Sequence, residues 1–268
     1  MNRFTAVCTG FVAGGFVVLG IANSHAQTAA DILSRADAVY TNARTYQTTY
    51  RWEHKSVYSG RMLDPLIITS LSVVDVKALG TKQFTLHQVL NESNNPPLFK
   101  DYHGTIDMVD DGVRHYVYLS SDHAYLWNPH DEWITNAAKS EKLDMILPRL
   151  KPRPGFLYKL LAPTTIDGKA AYVIEAKGTA KEGGASPVTI NGERIYPVEA
   201  PWVTKSVDEL IYIDQANFHL LQKKSTRASR GITETLVQII QSETLDAPIP
   251  TKTFDFVIPN GAKELGKK

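Results

Sequence analysis

The run DELIYIDQANFHLLQKKST, residues 208–226, decides how this chain is read. Leu210-Ile211-Tyr212-Ile213 is a strand, Asp214-Gln215-Ala216-Asn217 a turn, and Phe218 to Thr226 a returning strand. A third strand follows from Ile232 to Glu243. A linker with Pro248 and Pro250 delivers a last edge strand, Phe254 to Ile258, stopped by Pro259-Asn260-Gly261. Short strands joined by tight turns describe an antiparallel meander, and the rest of the chain must say what that curved sheet encloses.

Working back from it, Tyr46, Thr48, Tyr50, Trp52 and His54 alternate with Gln47, Thr49, Arg51, Glu53 and Lys55, as in a sheet with one wet face. Ahead of this strand, Thr28 to Ala43 has helical spacing, with Ile32, Leu33, Ala36, Val39 and Tyr40 on one face and a Thr28/Asp31 capping box. Further strands are expected at Ile67 to Val76, Gln83 to Leu90, Thr105 to Val109, Val113 to Leu119, Ala124 to Trp127, Glu132 to Thr135 and Ala170 to Ala176. Asp111-Gly112 marks a hairpin and Asn91 to Tyr102 a loop. Asn136 to Leu147 and Phe156 to Leu161 read as two short apolar helices, broken by Pro148, Pro152, Pro154 and Pro163. Lys177 to Val207, rich in glycine and proline and carrying Trp202, reads as an insertion or flap.

The chain has 268 residues, 43% of them hydrophobic, enough for one domain spanning 27–268. A net charge of +1 gives no bulk electrostatic case for nucleic acid. Residues 1–26 read as a secretory signal: Arg3, an apolar run to Ile21, and small residues at Ser24 and Ala26 before the cleavage point. Cys8, the only cysteine, leaves with it, so the exported chain has neither disulfide nor thiolate chemistry.

No catalytic constellation stands out. The eight histidines, His25 of the leader included, show no zinc-protease spacing. His130-Asp131-Glu132 follows a turn, and Asp110-Asp111 suits a hairpin for backbone reasons. There is no nucleophile elbow and no phosphate-cradling glycine loop. Lys223 and Lys224 fall on opposite faces of their strand, so that pair makes no basic patch. The expectation is a non-enzyme with neither metal nor cofactor.

What remains is apolar excess. Leu236 and Ile240 point one way along their strand, Val237 and Ile239 the other, and a strand apolar on both faces must be covered or line a hollow. Tyr116, Tyr118, Tyr125, Trp127, Tyr172 and Tyr212 add aromatic surface.

One helix, meandering strands, two apolar mid-chain helices and more strands resemble the periplasmic lipoprotein-carrier superfamily, the LolA-like, LolB-like and RseB-like proteins. The pieces that carry the likeness are the first helix with Leu33 and Tyr40, residues 111–118, residues 167–174, Leu210 to Asp214 and Phe254 to Ala262. The resemblance implies a mainly β fold, a half-open antiparallel β-barrel of ten or eleven strands around an apolar cavity, with the helices as lid. It implies a monomeric periplasmic carrier for lipid or lipoprotein acyl chains. Its ligand-facing residues would be Tyr50, Trp52, Tyr116, Tyr118, Trp127, Leu157, Leu160, Tyr172, Ile174, Tyr212, Val237 and Ile239. Carriers place a basic residue followed by proline at the cavity mouth; that pair is absent here, and Lys77 and Lys82 are the basic candidates. An envelope stress-sensing or assembly module that binds a protein partner is the alternative.

A cavity of this kind suits lipid. Burying roughly ten methylenes at about 0.8 kcal/mol each gives about 8 kcal/mol before the cost of association.

Overall fold

The computed structural model describes residues 27–59, 65–80, 82–95, 101–131, 146–183, 188–190, 193–195, 202–229 and 231–265. Helix α1 (Ala29–Asn42) begins as expected: the Thr28 hydroxyl accepts from the Asp31 backbone N–H, and the Asp31 carboxylate accepts in return from the Thr28 backbone N–H. Then come β1 (Tyr46–Tyr58), β2 (Leu66–Leu79), β3 (Gln83–Asn95), β4 (Tyr102–Asp110), β5 (Arg114–Leu119) and β6 (Ala124–Pro129). The second half holds β7 (Leu157–Ile166), β8 (Lys169–Gly183), β9 (Val188–Ile190), β10 (Glu193–Ile195), β11 (Trp202–Asp214), β12 (Leu220–Ser229), β13 (Ile232–Leu245) and β14 (Lys263–Glu264).

Twelve of these strands form one open sheet in the order β14-β6-β5-β4-β3-β2-β1-β13-β12-β11-β8-β7. Every pairing is antiparallel except that of β14 with β6. The meander from residue 208 is therefore real, and β13 closes it onto β1, joining both halves of the chain in one sheet.

The curvature follows from what α1 touches. Tyr40 packs its ring edge-on against Tyr46 of β1 and hydrogen-bonds Glu243 of β13 and the Leu220 N–H of β12, while α1 also lies against β7. Laid flat, the strands from β1 to β7 span about 24 Å at ordinary strand spacing, whereas a helix with its side chains is about 10–12 Å across. The sheet must therefore wrap round the helix, giving a half-open barrel with α1 as its lid. The apolar core lies between them: Ile32, Leu33 and Tyr40 from α1 meet Tyr50, Val74, Val76, Phe84, Ile174 and Ile213.

Several expectations need correction. Phe156 to Leu161 is not a helix; Leu157 opens the edge strand β7. A six-residue apolar run fits either period, and Pro163 sits in a bulge between Leu161 and Thr164, where an edge strand tolerates it. Phe254 to Ile258 is not a strand: Thr251–Phe254 is a 3-10 turn, and the paired segment is Lys263–Glu264, on β6. Asn91 to Asn95, read as loop, extends β3. The flap read at Lys177 to Val207 begins and ends inside long strands, since β8 and β11 pair as far as Gly183 and Trp202. The 1–26 signal, the Glu132 to Thr135 strand and the Asn136 to Leu147 helix, save Ile146 and Leu147 in a turn, lie outside the described residues.

Candidate functional site on the concave face

Register assigns every strand residue to one side of the sheet. Below the α1-packed end, three cross-strand rows line the concave face. From β11 to β3 the first reads Ile211, Lys223, Gln238, Trp52, Ser72, Leu90. The second reads Glu209, Ser225, Leu236, His54, Ser70, Glu92, and the third Val207, Arg227, Glu234, Ser56, Ile68, Asn94.

Burial confirms which side is in. Ser56 and Ser72 are 1% and 3% exposed, while Leu71 and Val73, their neighbours on the convex face, are 45% and 40% exposed. The inner surface here is thus a mixture of small hydroxyls, apolar side chains and charges. Helix α1, with 14 residues, is about 21 Å long, and β1, with 13, about 44 Å. One helix cannot cover the whole concavity. Accordingly the buried apolar cluster stops near Tyr50, Val74 and Ile211, with Trp52 packed at its border.

The segment from Ile146 to Phe156 enters beside α1. Ile146 and Leu150 are buried in the core, and the Leu150 and Lys151 N–H groups both donate to Asp37 of α1 at 2.9 Å. Phe156 lies on Gly178 of β8, where a Cβ would stand 2.6 Å from the ring. The Arg153 guanidinium stacks 3.9 Å over the Phe156 ring and pairs with the buried carboxylate of Glu209. Lys223 Nζ approaches that carboxylate at 3.6 Å, and the Ser225 hydroxyl donates to it at 3.4 Å. One row on, Lys205 pairs with Glu234 at 2.7 Å, and Arg227 Nε donates to Ser225 Oγ at 3.4 Å.

His54 stands among these groups, with Nε2 2.9 Å from the Ser56 hydroxyl. Burial, aided by Arg227 and Lys205 and opposed by Glu234, holds its imidazole below the ordinary value of 6.5. The unfolded chain takes up that proton first. Stability linked to His54 is therefore complete above pH about 6.5 and is lost as pH falls from there towards the lower folded-state value. Urea midpoints at pH 7.5 and 5.5 test this: the drop on acidification is expected to be smaller in His54→Gln than in the parent.

The residues read from sequence divide between the two faces. Tyr50, Trp52, Leu160, Tyr172 and Ile174 are on the concave side. Tyr116, Tyr118, Trp127, Leu157, Tyr212, Val237 and Ile239 are on the convex side, so the inward residues of β13 are Leu236 and Ile240. Tyr116 is covered from outside by Phe256, stacked at 4.4 Å, while Trp127 Nε1 and the Tyr125 hydroxyl donate to Glu264. Lys77 is exposed on the convex face and Lys82 in the turn after β2, so neither lines the hollow.

Sequence reading also missed the charged cluster. The alternation that separates Lys223 from Lys224 also unites Lys223 with Arg227. Glu209, in phase with Val207, Ile211 and Ile213, was the visible irregularity. At the other end, Asp110 is buried with Oδ1 accepting from the Gly112 N–H and 2.7 Å from His130 Nδ1; His115 Nδ1 lies 3.7 Å from Oδ2. Burial chiefly pushes the Asp110 carboxyl upward, as for an acid used in a turn beneath the core. Among the described residues no group of three or more His, Cys, Asp or Glu is placed to hold a metal, and no helix is long and apolar enough to cross a membrane.

No protein-family profile matches the sequence, and no curated protein matches it. Among solved structures the chain is similar to the lipoprotein LppX of Mycobacterium tuberculosis, with 15% identity, TM-score 0.38, and 82% of this chain and 97% of that one covered. It is similar to a LolA superfamily protein of Nitrosomonas europaea, at 13% identity and TM-score 0.33, covering 85% and 98%. A putative outer membrane lipoprotein-sorting domain of Vibrio parahaemolyticus matches at 9% identity and TM-score 0.27, covering 85% and 96%. By its own strand order and helix packing, this chain is a half-open antiparallel β-barrel lidded by its first helix, the fold class that the sequence resemblance implied.

Proposed function

We propose that the protein is a periplasmic, non-catalytic carrier that holds an acyl chain on the concave face beyond α1. The observation that carries this reading is the mismatch between the lid and the hollow. The concave surface continues past the helix-packed core along Trp52, Leu236, Leu90 and Ile68, and these side chains are only half-buried. A strip of this kind suits the reversible burial of methylenes at about 0.8 kcal/mol each, with no directional bond required. Passive exchange of that sort needs no nucleotide, and the sequence has no nucleotide-binding loop. The leader read at residues 1–26 supports export of such a carrier to the cell envelope.

Mass spectrometry of organic extracts from the purified protein, together with uptake of a fluorescent fatty acid, tests the reading; finding neither removes it. A pair of adjacent substitutions sharpens the test. Leu236→Asp puts a carboxylate on the concave strip and is expected to lower fatty-acid affinity about tenfold or more, since a charge there must be desolvated by the chain. Val237→Asp, one residue along and on the convex face, is expected to leave uptake unchanged. Equal effects of the two would place the ligand elsewhere.

A further inference from the structure

We propose that His54 is a proton-operated gate on this strip: with its imidazole neutral an acyl chain lies across β1, and with the ring protonated the chain is expelled. This rests on the acyl-binding reading above and adds the control of loading and release by pH. Its basis is position. Leu236 of β13 stands directly opposite His54, Trp52 precedes it by two residues on the same face of β1, and Ile68 of β2 lies on the diagonal, beside Ser56 and Ser70. Directly opposed side chains are about 5 Å apart and diagonal ones about 7–8 Å. Three of the four apolar residues of the strip therefore border this one ring, and hydrocarbon that covers Leu236 and Trp52 together covers His54 as well. The ring is half-buried, and among the described residues its only hydrogen bond is with Ser56.

A neutral imidazole presents an apolar body with a polar tip, and here the tip is met by the Ser56 hydroxyl. An imidazolium beneath hydrocarbon loses the water that solvates its charge, and that cost falls on the loaded state alone. The charged and titratable groups facing this part of the hollow are Glu234 on β13, Lys223 and Arg227 on β12, Lys205 and Glu209 on β11, Glu92 on β3, Arg153 of the incoming segment, and Tyr58 two residues past Ser56. Burial chiefly, with Arg227 and Lys205, keeps the free ring below 6.5 against the pull of Glu234, so it is neutral at pH 7. Acyl affinity is complete above the free ring's own value and is lost as pH falls through it, because the bound chain opposes protonation further. Glu92 acts with the opposite sign. Burial pushes its carboxyl upward, and its protonation in acid removes a charge from the hollow, which favours hydrocarbon.

Calorimetric titration of 1-decanol into the full exported chain, at pH 7.5 and 5.0 and in buffers of different ionisation enthalpy, tests the gate. Decanol carries no group that titrates in that range, so any proton exchanged on binding belongs to the protein. Binding is expected to be about fivefold or more weaker at pH 5.0, with protons released as decanol binds there. His54→Gln is expected to abolish both the pH dependence and the proton release, while His103→Gln, exposed on the convex face of β4, keeps both. Nuclear magnetic resonance of the parent reads the same coupling without a variant: decanol is expected to lower the titration midpoint of the His54 ring by the same factor. Affinity that does not change with pH, or a fall that survives His54→Gln or vanishes equally with His103→Gln, overturns the gate and leaves the acyl reading standing. So does a His54 midpoint that decanol leaves in place, which is what a purely structural histidine gives. Decanol that binds at neither pH overturns both readings.

Discussion

Truncating Tyr40 to alanine is expected to lower stability by about 4–5 kcal/mol, as removal of a large buried aromatic does when the site cannot collapse. The side chain is 1% exposed, lies edge-on to Tyr46 and ties α1 to two strands at once. Its hydroxyl donates to Glu243 on β13 and accepts the Leu220 N–H of β12 at 2.7 Å. Glu243 also receives His219 Nδ1 at 2.5 Å, so one buried carboxylate collects contacts from the lid and the wall. Burial, reinforced by that carboxylate, drives the Tyr40 and Tyr46 hydroxyls far above the usual phenol range, and both act as fixed neutral donors. Tyr40→Phe keeps the ring and strands the Leu220 N–H, which costs about 1–3 kcal/mol. Guanidinium unfolding of both variants separates the contributions. In a chain of this size a loss of 4 kcal/mol lowers Tm by roughly 8–16 °C. A fall in Tm of only a degree or two for Tyr40→Ala would mean that α1 does not pin the wall.

Glu209→Ala is expected to cost about 3–5 kcal/mol, because it removes the buried carboxylate that Arg153 and Lys223 both approach and that the Ser225 hydroxyl bonds. Part of the loss belongs to the Arg153–Glu209 pair itself. Arg153→Met should therefore recover part of it: the double variant is expected to be more stable than the sum of the single losses by about 1–3 kcal/mol. Thermal melts of the four proteins close the cycle, and strict additivity would show that the pair is not coupled. The same substitution should loosen the 146–156 segment, seen as faster amide exchange at Leu150 and Lys151, whose N–H groups rest on Asp37.

How far the sequence goes can be judged strand by strand. Tyr46 to His54 declared its inner phase openly, because charged and aromatic residues alternate there with no exception, and the register bears that phase out. β13 did not, because Leu236, Val237, Ile239 and Ile240 supply apolar side chains to both phases and only the pairing of Leu236 with His54 settles the matter. On β5 and β6 the aromatic phase proved to be the outer one. Tyr116, Tyr125 and Trp127 are sheltered by Phe256 and Glu264, which arrive from more than a hundred residues away. A strand pattern records whether a residue is covered and says nothing of which partner does the covering. The cluster around Glu209 was hidden for a related reason: its members come from a proline-rich loop and three strands, and no spacing joins them.

The two margins of the sheet are finished differently, and this bears on how the protein keeps from sticking to itself. At one margin, β14 lies along β6 and satisfies part of its open ladder. At the other, β7 ends the sheet with Leu157 almost fully exposed, yet Pro163 and its bulge break the straight run of amides that a neighbouring molecule would need. Replacing that proline with a ladder-competent residue such as valine would lengthen an uninterrupted, greasy template for edge-to-edge pairing, and with it the tendency to build fibrils.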